Sequence, residues 1–347
     1  MLIRCHFAIS PDDKSQVNIF SIILFLILTP FGLLSQTCCS GGVPVGSNLG
    51  FSSANKGILQ YSINYDLNTL KDLYTESSRL DDDFRIRKTS SYLFRSNYSI
   101  NERFSIEGFV SLIKQSRTII GNQGGQFKES SFGLGDPVFL ILYKLIDKSM
   151  IWRIGAGPQI PLGATNKRNS RGLLLVEDLQ PGSGAWDAVL FSSFEYSLQI
   201  RPSMNTHANI IYTSTGTNTS ARGGNFSYEF GNDLQIIVGL SDQLFLFTKI
   251  LFPGIQLRYR TAQVDKINES TNPGTGGNWV FIKLSTSVSL GKDSNLSISY
   301  EKSLYTNVVD TQLSPTFVLN FGFNQTIQMK KKNSINTPII DRYGVIK

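Results

Sequence analysis

The sequence is poor in the groups that most enzymes and nucleic-acid-binding proteins use. It has two histidines in 347 residues, and only His207 lies beyond the N-terminal apolar run, whereas hydrolytic sites usually employ histidine as their base. It contains no GxSxG, HExxH or CxxC motif and no glycine-rich phosphate loop. Lysine and arginine give a formal net charge of +7 but are scattered, apart from one run at residues 330–332. We therefore expect no enzyme, no cofactor and no nucleic-acid partner.

Cysteine and metal-ligand clusters are equally scarce. The three cysteines are Cys5 and the adjacent pair Cys38 and Cys39. In an oxidising compartment the pair could form a strained disulfide or bridge two molecules, whereas a soft-metal site would need further ligands. The acidic run Asp81–Asp83 could bind a divalent cation, but it is bordered by arginines and is interpreted as a solvated loop. The sequence predicts no metal site and leaves the role of the cysteine pair open.

Long apolar runs are limited to one, Ile19–Leu34, which is broken by Pro30 and Gly32. A helical membrane bundle needs repeated runs of about 20 apolar residues, so this class is excluded. A short apolar stretch that is kinked near its end and followed by small and polar residues is typical of a secretory signal. The sequence thus predicts a signal peptide over residues 1–36. A lipoprotein would carry its lipid on Cys38, but the residues before Cys38 match a lipoprotein signal poorly.

The rest of the chain contains twelve stretches in which apolar and polar residues alternate, and the gaps between them are alternately short and long. Tight turns at one end of every hairpin and long loops at the other are typical of a transmembrane β-barrel. The short gaps are Asn101–Glu102, Asp147–Lys148, Arg201–Pro202, Ser241–Asp242 and Lys292–Asp293. The long gaps lie near 67–87, 116–130, 164–183, 215–224, 258–277 and 306–313.

The stretches are about 10 to 14 residues long, which favours membrane strands over those of a soluble sandwich. Tyrosine, phenylalanine and tryptophan concentrate near their ends, as interfacial girdles require. We predict an all-β antiparallel barrel of about twelve strands over residues 57–326, with short periplasmic turns and longer extracellular loops; fourteen strands are conceivable. The predicted strands are 57–66, 88–100, 103–115, 131–146, 149–163, 185–200, 203–214, 225–240, 243–257, 278–291, 294–305 and 314–326.

Alternation also predicts which ionisable side chains face the lumen. These residues could pair with one another as a salt-bridged plug, or they could line a polar path whose charges select solutes. The inward candidates are Arg95, Glu107, Arg153, Asp187, Glu195, His207, Glu229, Asp233, Lys283 and Glu301.

Two segments flank the predicted barrel. The segment 37–56 is rich in glycine and serine but also apolar, so it could enter the lumen as a hatch or remain in the periplasm. We expect it to meet apolar inward positions such as Phe139 and Ile141. Residues 327–347 are expected to be a periplasmic tail.

Three motifs occur in order along the middle of the chain: GLGDP at the start of one strand, GPQIPLG at the end of the next, and PGSGAWD at the start of the third. Their order resembles the outer-membrane channels associated with meta-pathway phenol degradation, which are related to long-chain fatty-acid transporters. Leu162 departs from the family, which usually has threonine there. The positions that carry the resemblance are Gly133, Gly135, Asp136, Pro161, Gly163, Pro181, Gly182, Gly184, Trp186 and Asp187.

The resemblance implies a channel of the Gram-negative outer membrane for passive uptake or export of small molecules, hydrophobic ones among the candidates. The alternative is an outer-membrane barrel with a structural or adhesive role and no transport. The expected partners are outer-membrane lipids, a small-molecule cargo and the barrel-assembly machinery. Family likeness alone does not identify the cargo.

Overall fold

The computed structural model describes residues 51, 55–120, 125–246 and 248–329. In these ranges the chain forms a closed antiparallel barrel of twelve strands, which confirms the predicted fold class. The predicted signal peptide and most of the two flanking segments lie outside the described residues. The barrel strands are β1 Ile58–Thr75, β2 Arg85–Ser99, β3 Phe104–Ile120, β4 in two segments Gln126–Leu134 and Val138–Asp147, β5 Met150–Gln159, β6 Asp187–Ser197, β7 Asn205–Ser214, β8 Asp233–Ser241, β9 Gly254–Ala262, β10 Gly277–Ser289, β11 Ser294–Val308 and β12 Thr311–Gln328.

The remaining elements are short. Ser78–Leu80 extends the ladder of β1, and Leu244–Leu246 pairs with Lys249–Leu251 in a small hairpin. The described residues include one helical turn, Ala221–Gly224, and one 3-10 turn, Glu177–Leu179. In these ranges no helix is long and apolar enough to cross a membrane. A separate sheet, here called the loop sheet, comprises Thr217–Ser220, Phe226–Glu229, Lys266–Ile267 and Ser270–Thr271.

The barrel closes between its first and last strands. β1 pairs with β12 from Ile58 opposite Gln328 to Thr75 opposite Thr311, and the other barrel strands pair with their neighbours in sequence. An unpaired strand edge is not tolerated in hydrocarbon, because its backbone groups would have no partner. The closed ladder therefore meets the main requirement for a membrane-spanning sheet.

Side chains alternate between the interior and the outer wall, as β2 illustrates. Thr89, Ser91 and Leu93 are buried, whereas Tyr92 and Phe94 are 52% and 41% exposed. This follows from the two-residue period of a strand. The exposed side chains are large and apolar, so this outer wall suits lipid.

Strand β4 is interrupted at residues 135–137. Pro137 has no amide hydrogen to give to the ladder. At Gly135 a Cβ would lie 2.4 Å from the Ser111 hydroxyl oxygen, yet the Gly135 amide still donates to the Ser111 carbonyl at 2.8 Å. Both segments of β4 therefore remain paired with β3 on either side of the break.

The predicted eighth strand, 225–240, is wrong in its first half, because β8 begins only at Asp233. Phe226–Glu229 belongs to the loop sheet instead. A Cβ at Gly231 would lie 2.3 Å from the Gln263 carbonyl oxygen, so the chain passes close to the neighbouring loop at this point. The alternation of residues continues through this bend and therefore conceals it in the sequence.

The predicted ninth strand, 243–257, is displaced, because β9 is Gly254–Ala262. The short hairpin at 244–251 occupies the first half of the predicted strand. Pro253 follows this hairpin and cannot donate to a ladder. The segment is almost continuously apolar, so alternation could not locate the strand.

Ten buried apolar side chains form a cluster in the interior, on strands β2 to β8. Its members from β4 are Val138, Leu140 and Leu142, whereas Phe139 and Ile141 are 43% and 62% exposed on the outer wall. The expectation that Phe139 and Ile141 face inward is therefore wrong. Both faces of β4 are apolar, and such a pattern does not specify which residues face in. The full cluster is Leu93, Phe109, Ile113, Val138, Leu140, Leu142, Val189, Phe191, Ile211 and Ile237.

Candidate functional site

Asp136 joins the three sequence motifs at the long-loop end of the barrel. Its Oδ1 accepts a hydrogen bond from the Gly163 amide at 2.7 Å, and its Oδ2 accepts one from the Ser183 amide at 2.6 Å. The residue is buried, and hydrogen bonds to a charged acceptor offset part of the cost of burial. The first motif is thus bonded directly to the second and the third.

Glycines allow these motifs to touch. A Cβ at Gly163 would lie 2.5 Å from the Gly182 Cα, and a Cβ at Gly133 would lie 2.9 Å from the Pro181 side chain. A larger residue at position 163 would push two backbones apart, as expected where chains approach closely. We call the contact among Asp136, Gly163, Gly182 and Ser183 the collar.

The third motif continues from the collar into β6. Asp187 is buried, and its Oδ1 accepts a hydrogen bond from the Gly216 amide at 2.9 Å. Trp186 is 62% exposed. Gly184 has a φ of 74°, a left-handed conformation that favours glycine. Pro161 is half-buried in the loop that follows β5.

The loop between β5 and β6 folds over this end of the barrel. Arg87 donates to the Asp178 carboxylate at 2.6 Å and to the Gln115 side-chain carbonyl at 2.7 Å. The Ser131 hydroxyl donates to the Leu179 carbonyl at 2.6 Å. These bonds tie the loop to β2, β3 and β4.

A cavity of about 170 Å³, here called the loop-end cavity, lies beside this loop. Its wall combines the aromatic rings of Phe109, Phe230 and Phe281 with the guanidinium groups of Arg258 and Arg260. It also includes five carboxyl groups, those of Asp136, Glu177, Asp178, Asp187 and Asp233. An apolar cavity of about 150 Å³ is large enough to hold benzene. The loop-end cavity therefore has room for a single substituted ring.

Arg258 is fixed by a buried ion pair. Its Nε donates to one carboxylate oxygen of Glu301 at 3.1 Å and its Nη2 donates to the other, while Nη1 donates to Gln235 at 3.3 Å. Its guanidinium also lies 4.1 Å from the centre of the Phe281 ring. Such a bidentate pair restricts the orientation of both side chains.

Arg260, on the same strand, pairs with a different carboxylate. Its Nε donates to Asp233 at 2.6 Å, and its guanidinium lies 5.3 Å from the ring of Trp279. The Trp279 indole donates to the Ser314 hydroxyl at 3.0 Å. The two arginines of β9 are therefore held by β8 and β11.

A second cavity, of about 610 Å³, extends toward the tight-turn end and is called the turn-end cavity. None of its lining residues also lines the loop-end cavity. Five predicted candidates line it: Arg95, Arg153, Glu195, His207 and Lys283.

Arg153 and Arg95 both contact Phe51, which belongs to the N-terminal flanking segment. Arg153 donates to the Phe51 carbonyl, to the Ser193 hydroxyl at 3.1 Å and to the Glu195 carboxylate. The Arg95 guanidinium lies 3.9 Å from the centre of the Phe51 ring. Phe51 is buried, so this one residue of the segment packs among inward-facing side chains.

Nine of the ten predicted lumen residues lie on barrel strands, and Glu229 does not. Glu229 belongs to the loop sheet, where its carboxylate accepts a hydrogen bond from Lys266 at 2.7 Å. This ion pair and a hydrogen bond from Thr217 lower the pKa of Glu229, with burial opposing the shift. Among the other candidates, Glu107 is buried on β3.

Arg258, Arg260 and Gln256 were absent from the predicted set. All three lie on β9, and the predicted bounds of this strand were displaced toward the N-terminus. Correct placement of that strand would have given them the same alternation as the other candidates. The prediction that Glu301 faces inward could have pointed to such a partner, because a buried carboxylate normally requires a charged or hydrogen-bonding group nearby.

Asp265 is a buried carboxyl group in the loop that carries part of the loop sheet. It accepts hydrogen bonds from the Tyr228 hydroxyl at 2.5 Å and from the Gly231 amide at 3.0 Å. Burial raises the pKa of Asp265 to about 6, although the two hydrogen bonds act in the opposite direction.

The sequence profile described as "Putative MetA-pathway of phenol degradation" matches residues 59–321. Among solved structures, the chain is similar to an outer membrane channel from Pseudomonas putida F1, with 13% identity, a TM-score of 0.64 and coverage of 81% of this chain and 99% of that chain.

Two further solved structures have lower scores. The transport unit of the autotransporter AIDA-I from Escherichia coli has 10% identity and a TM-score of 0.45 over 82% of this chain and 94% of that chain. A Pseudomonas aeruginosa FadL homologue has 11% identity and a TM-score of 0.35 over 85% of this chain and 99% of that chain. No curated protein sequence gives a significant match.

The likeness to the Pseudomonas putida channel shows a shared fold. The profile match spans the barrel from β1 into β12 and includes all three motifs that meet at the collar. The chain belongs to the family of the putative meta pathway of phenol degradation, as its three motifs predicted.

Proposed function

We propose that this barrel is an outer-membrane channel through which small molecules, hydrophobic ones among them, diffuse passively. The observation that carries the proposal is the pair of cavities within the barrel, one beside the long loops and one toward the tight turns. Each cavity offers space inside the barrel that a small molecule could occupy. The fold shared with an outer membrane channel supports the same conclusion.

The lining of the loop-end cavity supports cargo with an apolar body. Phe109, Phe230 and Phe281 offer ring surfaces, and Arg258 offers a cation beside one of them. Ligand sites generally combine an apolar lining with a few polar groups that fix orientation. The family description, which names phenol degradation, is consistent with small ring compounds.

The outer wall supports residence in the outer membrane. Apolar side chains such as Phe94, Ile106, Leu190 and Ile298 are each more than 40% exposed on barrel strands. A band of this kind requires lipid contact, and a barrel in that membrane is inserted by the barrel-assembly machinery. The tight turns would then face the periplasm and the long loops the cell exterior.

Single-channel recording in planar bilayers tests the proposal. The purified full chain should produce discrete conductance steps in potassium chloride, and liposomes that contain it should admit small neutral solutes faster than empty liposomes. A correctly folded barrel that gives neither current nor uptake would favour the alternative, a structural or adhesive barrel without transport. The interior cluster of ten apolar side chains is the feature that would support such closure.

A further inference from the structure

The residues that line the turn-end cavity include more cationic than acidic side chains. The described residues that line it include Arg95, Lys148, Arg153 and Lys283 but a single carboxylate, that of Glu195. Arg153 donates to this carboxylate. The rest of this lining is mainly amide, hydroxyl and apolar side chains, together with the imidazole of His207.

Lys283 makes no ion pair among the described residues, although the carboxylates of Glu301 and Asp66 act on it electrostatically. It lies opposite Gln256 on β9 and Glu301 on β11. Arg258 engages both carboxylate oxygens of Glu301. In the described part of the chain, no carboxylate lies within ion-pair distance of the Lys283 ammonium group.

The wall beside Lys283 is shaped by His207 and Gly239. The Gln256 amide nitrogen lies 3.1 Å from His207 Nε2. A Cβ at Gly239 would lie 2.5 Å from the His207 ring, so glycine leaves room for the ring beside β8. This arrangement holds the imidazole and the amide in the same row of strands as the lysine.

We propose that the turn-end cavity binds the carboxylate group of a small organic acid, with Lys283 as its charged contact. This inference rests on the channel function proposed above and names the class of its cargo. One ammonium group on the wall of the cavity suits one negative charge. The proposed cargo class is therefore a small organic monocarboxylate.

Equilibrium binding tests the inference without requiring any current. The folded full chain in detergent is titrated with butyrate labelled with carbon-13 at its carboxyl group, and binding is followed by NMR. Wild-type protein should bind butyrate saturably, and Lys283→Gln should weaken this binding about tenfold or more, because a charge-assisted hydrogen bond is lost. Lys283→Arg should retain most of the affinity.

Matched controls separate a specific site from general charge effects. Lys292→Gln removes the same charge from the exposed turn between β10 and β11, outside the cavity, and should leave butyrate affinity unchanged. Butylammonium has a similar size and the opposite charge, and it should not bind saturably. Equal butyrate affinity in wild-type and Lys283→Gln proteins, or equal binding of the two probes, would overturn the inference.

A second measurement uses only the wild-type protein, so it remains possible even if Lys283→Gln fails to fold. Butyrate should slow chemical acetylation of Lys283 in the wild-type protein, as read by mass spectrometry, whereas butylammonium should not. If butyrate leaves the acetylation rate of Lys283 unchanged, Lys283 does not contact the bound carboxylate and the proposal is wrong. A barrel that binds butyrate but carries no current would refute the channel and keep the binding site, and a conducting barrel without binding would do the reverse.

Discussion

Asp136 is a single carboxylate that fixes two distant segments of the chain through their backbone amides. Asp136→Ala would leave the part-buried Gly163 and Ser183 amides without this acceptor, at a cost of about 1–3 kcal/mol for each lost hydrogen bond to a carboxylate. We expect the variant to unfold at a lower temperature and its long loops to be cleaved faster by protease. Asp83→Ala, a change at an exposed loop residue, is the matched control and should behave as wild type. Equal loop cleavage in both variants would contradict the role of the collar.

Asp265 predicts a pH dependence of the loop sheet. Its pKa is raised from 3.8 to about 6 in the folded protein, so folding favours the protonated form. The stability that this group contributes is fully present below about pH 4 and is lost as pH rises through about 6. Hydrogen exchange corrected for intrinsic rates should therefore show greater protection of the loop sheet at pH 4.5 than at pH 7.5. Asp265→Asn should remove this difference, and a difference that persists in the variant would assign it to other groups.

Single residues of the site were predictable where the strand register was clear. Arg95, Arg153 and Lys283 lie on strands with plain alternation, and all three line the turn-end cavity. Arg258 and Arg260 were missed because an apolar hairpin and Pro253 precede their strand. The hydrogen bonds of Asp136 could not be predicted at all, since they join loops that are distant in sequence.

At the scale of the strand, β8 offers a test of which face meets lipid. Ile236 is partly exposed on the outer wall, whereas Asp233 accepts a hydrogen bond from Arg260. Ile236→Arg should impair assembly, because a cation at mid-bilayer on the lipid face costs about 2–4 kcal/mol. Asp233→Asn should still assemble, since the amide oxygen remains an acceptor. Heat-modifiable migration on gels measures folding. If both variants lose the folded band equally, the assignment of Ile236 to the outer wall and Asp233 to the interior is wrong.

The contacts of Phe51 make the hatch prediction testable. Its ring and carbonyl engage Arg95 and Arg153, so Phe51→Ala should loosen the N-terminal segment from the interior. We expect higher conductance than in wild type, and a larger rise on deletion of residues 40–52. Ser52→Ala, the neighbouring change, is the control. Unchanged conductance in a correctly inserted deletion variant would favour a periplasmic segment instead.

Strands were predictable from sequence when one face was polar. On β2 polar and apolar residues alternate, and the predicted strand 88–100 overlaps Arg85–Ser99 closely. On β4 both faces are apolar, so the strand was found but its facing was not. In the predicted eighth strand, alternation ran on into the loop sheet, because a short exposed strand uses the same residue pattern.

For the whole molecule, sidedness follows from the proposed periplasmic position of the tight turns. Epitope tags at Gly172 and Gly223 should be accessible to antibody on intact cells, and a tag at Asp293 should be accessible only after the outer membrane is permeabilised. Both glycines are exposed and a Cβ at either would meet nothing within 4 Å, so a tag there has space outside the barrel wall. Gly216 is a poor site, because its amide donates to Asp187. Labelling of the Asp293 tag on intact cells would reverse the topology.

The seam between β1 and β12 has a consequence for how the barrel forms. The other barrel strands pair with a neighbour in sequence, so those hairpins bring together residues that are close along the chain. The seam joins Ile58 to Gln328, and such a contact carries the largest loop-closure entropy in the barrel. We infer that the seam is the last contact to form. Until β12 pairs with β1, the sheet has two edges with unpaired backbone groups. In a membrane these edges require another protein or a polar environment to satisfy their hydrogen bonds.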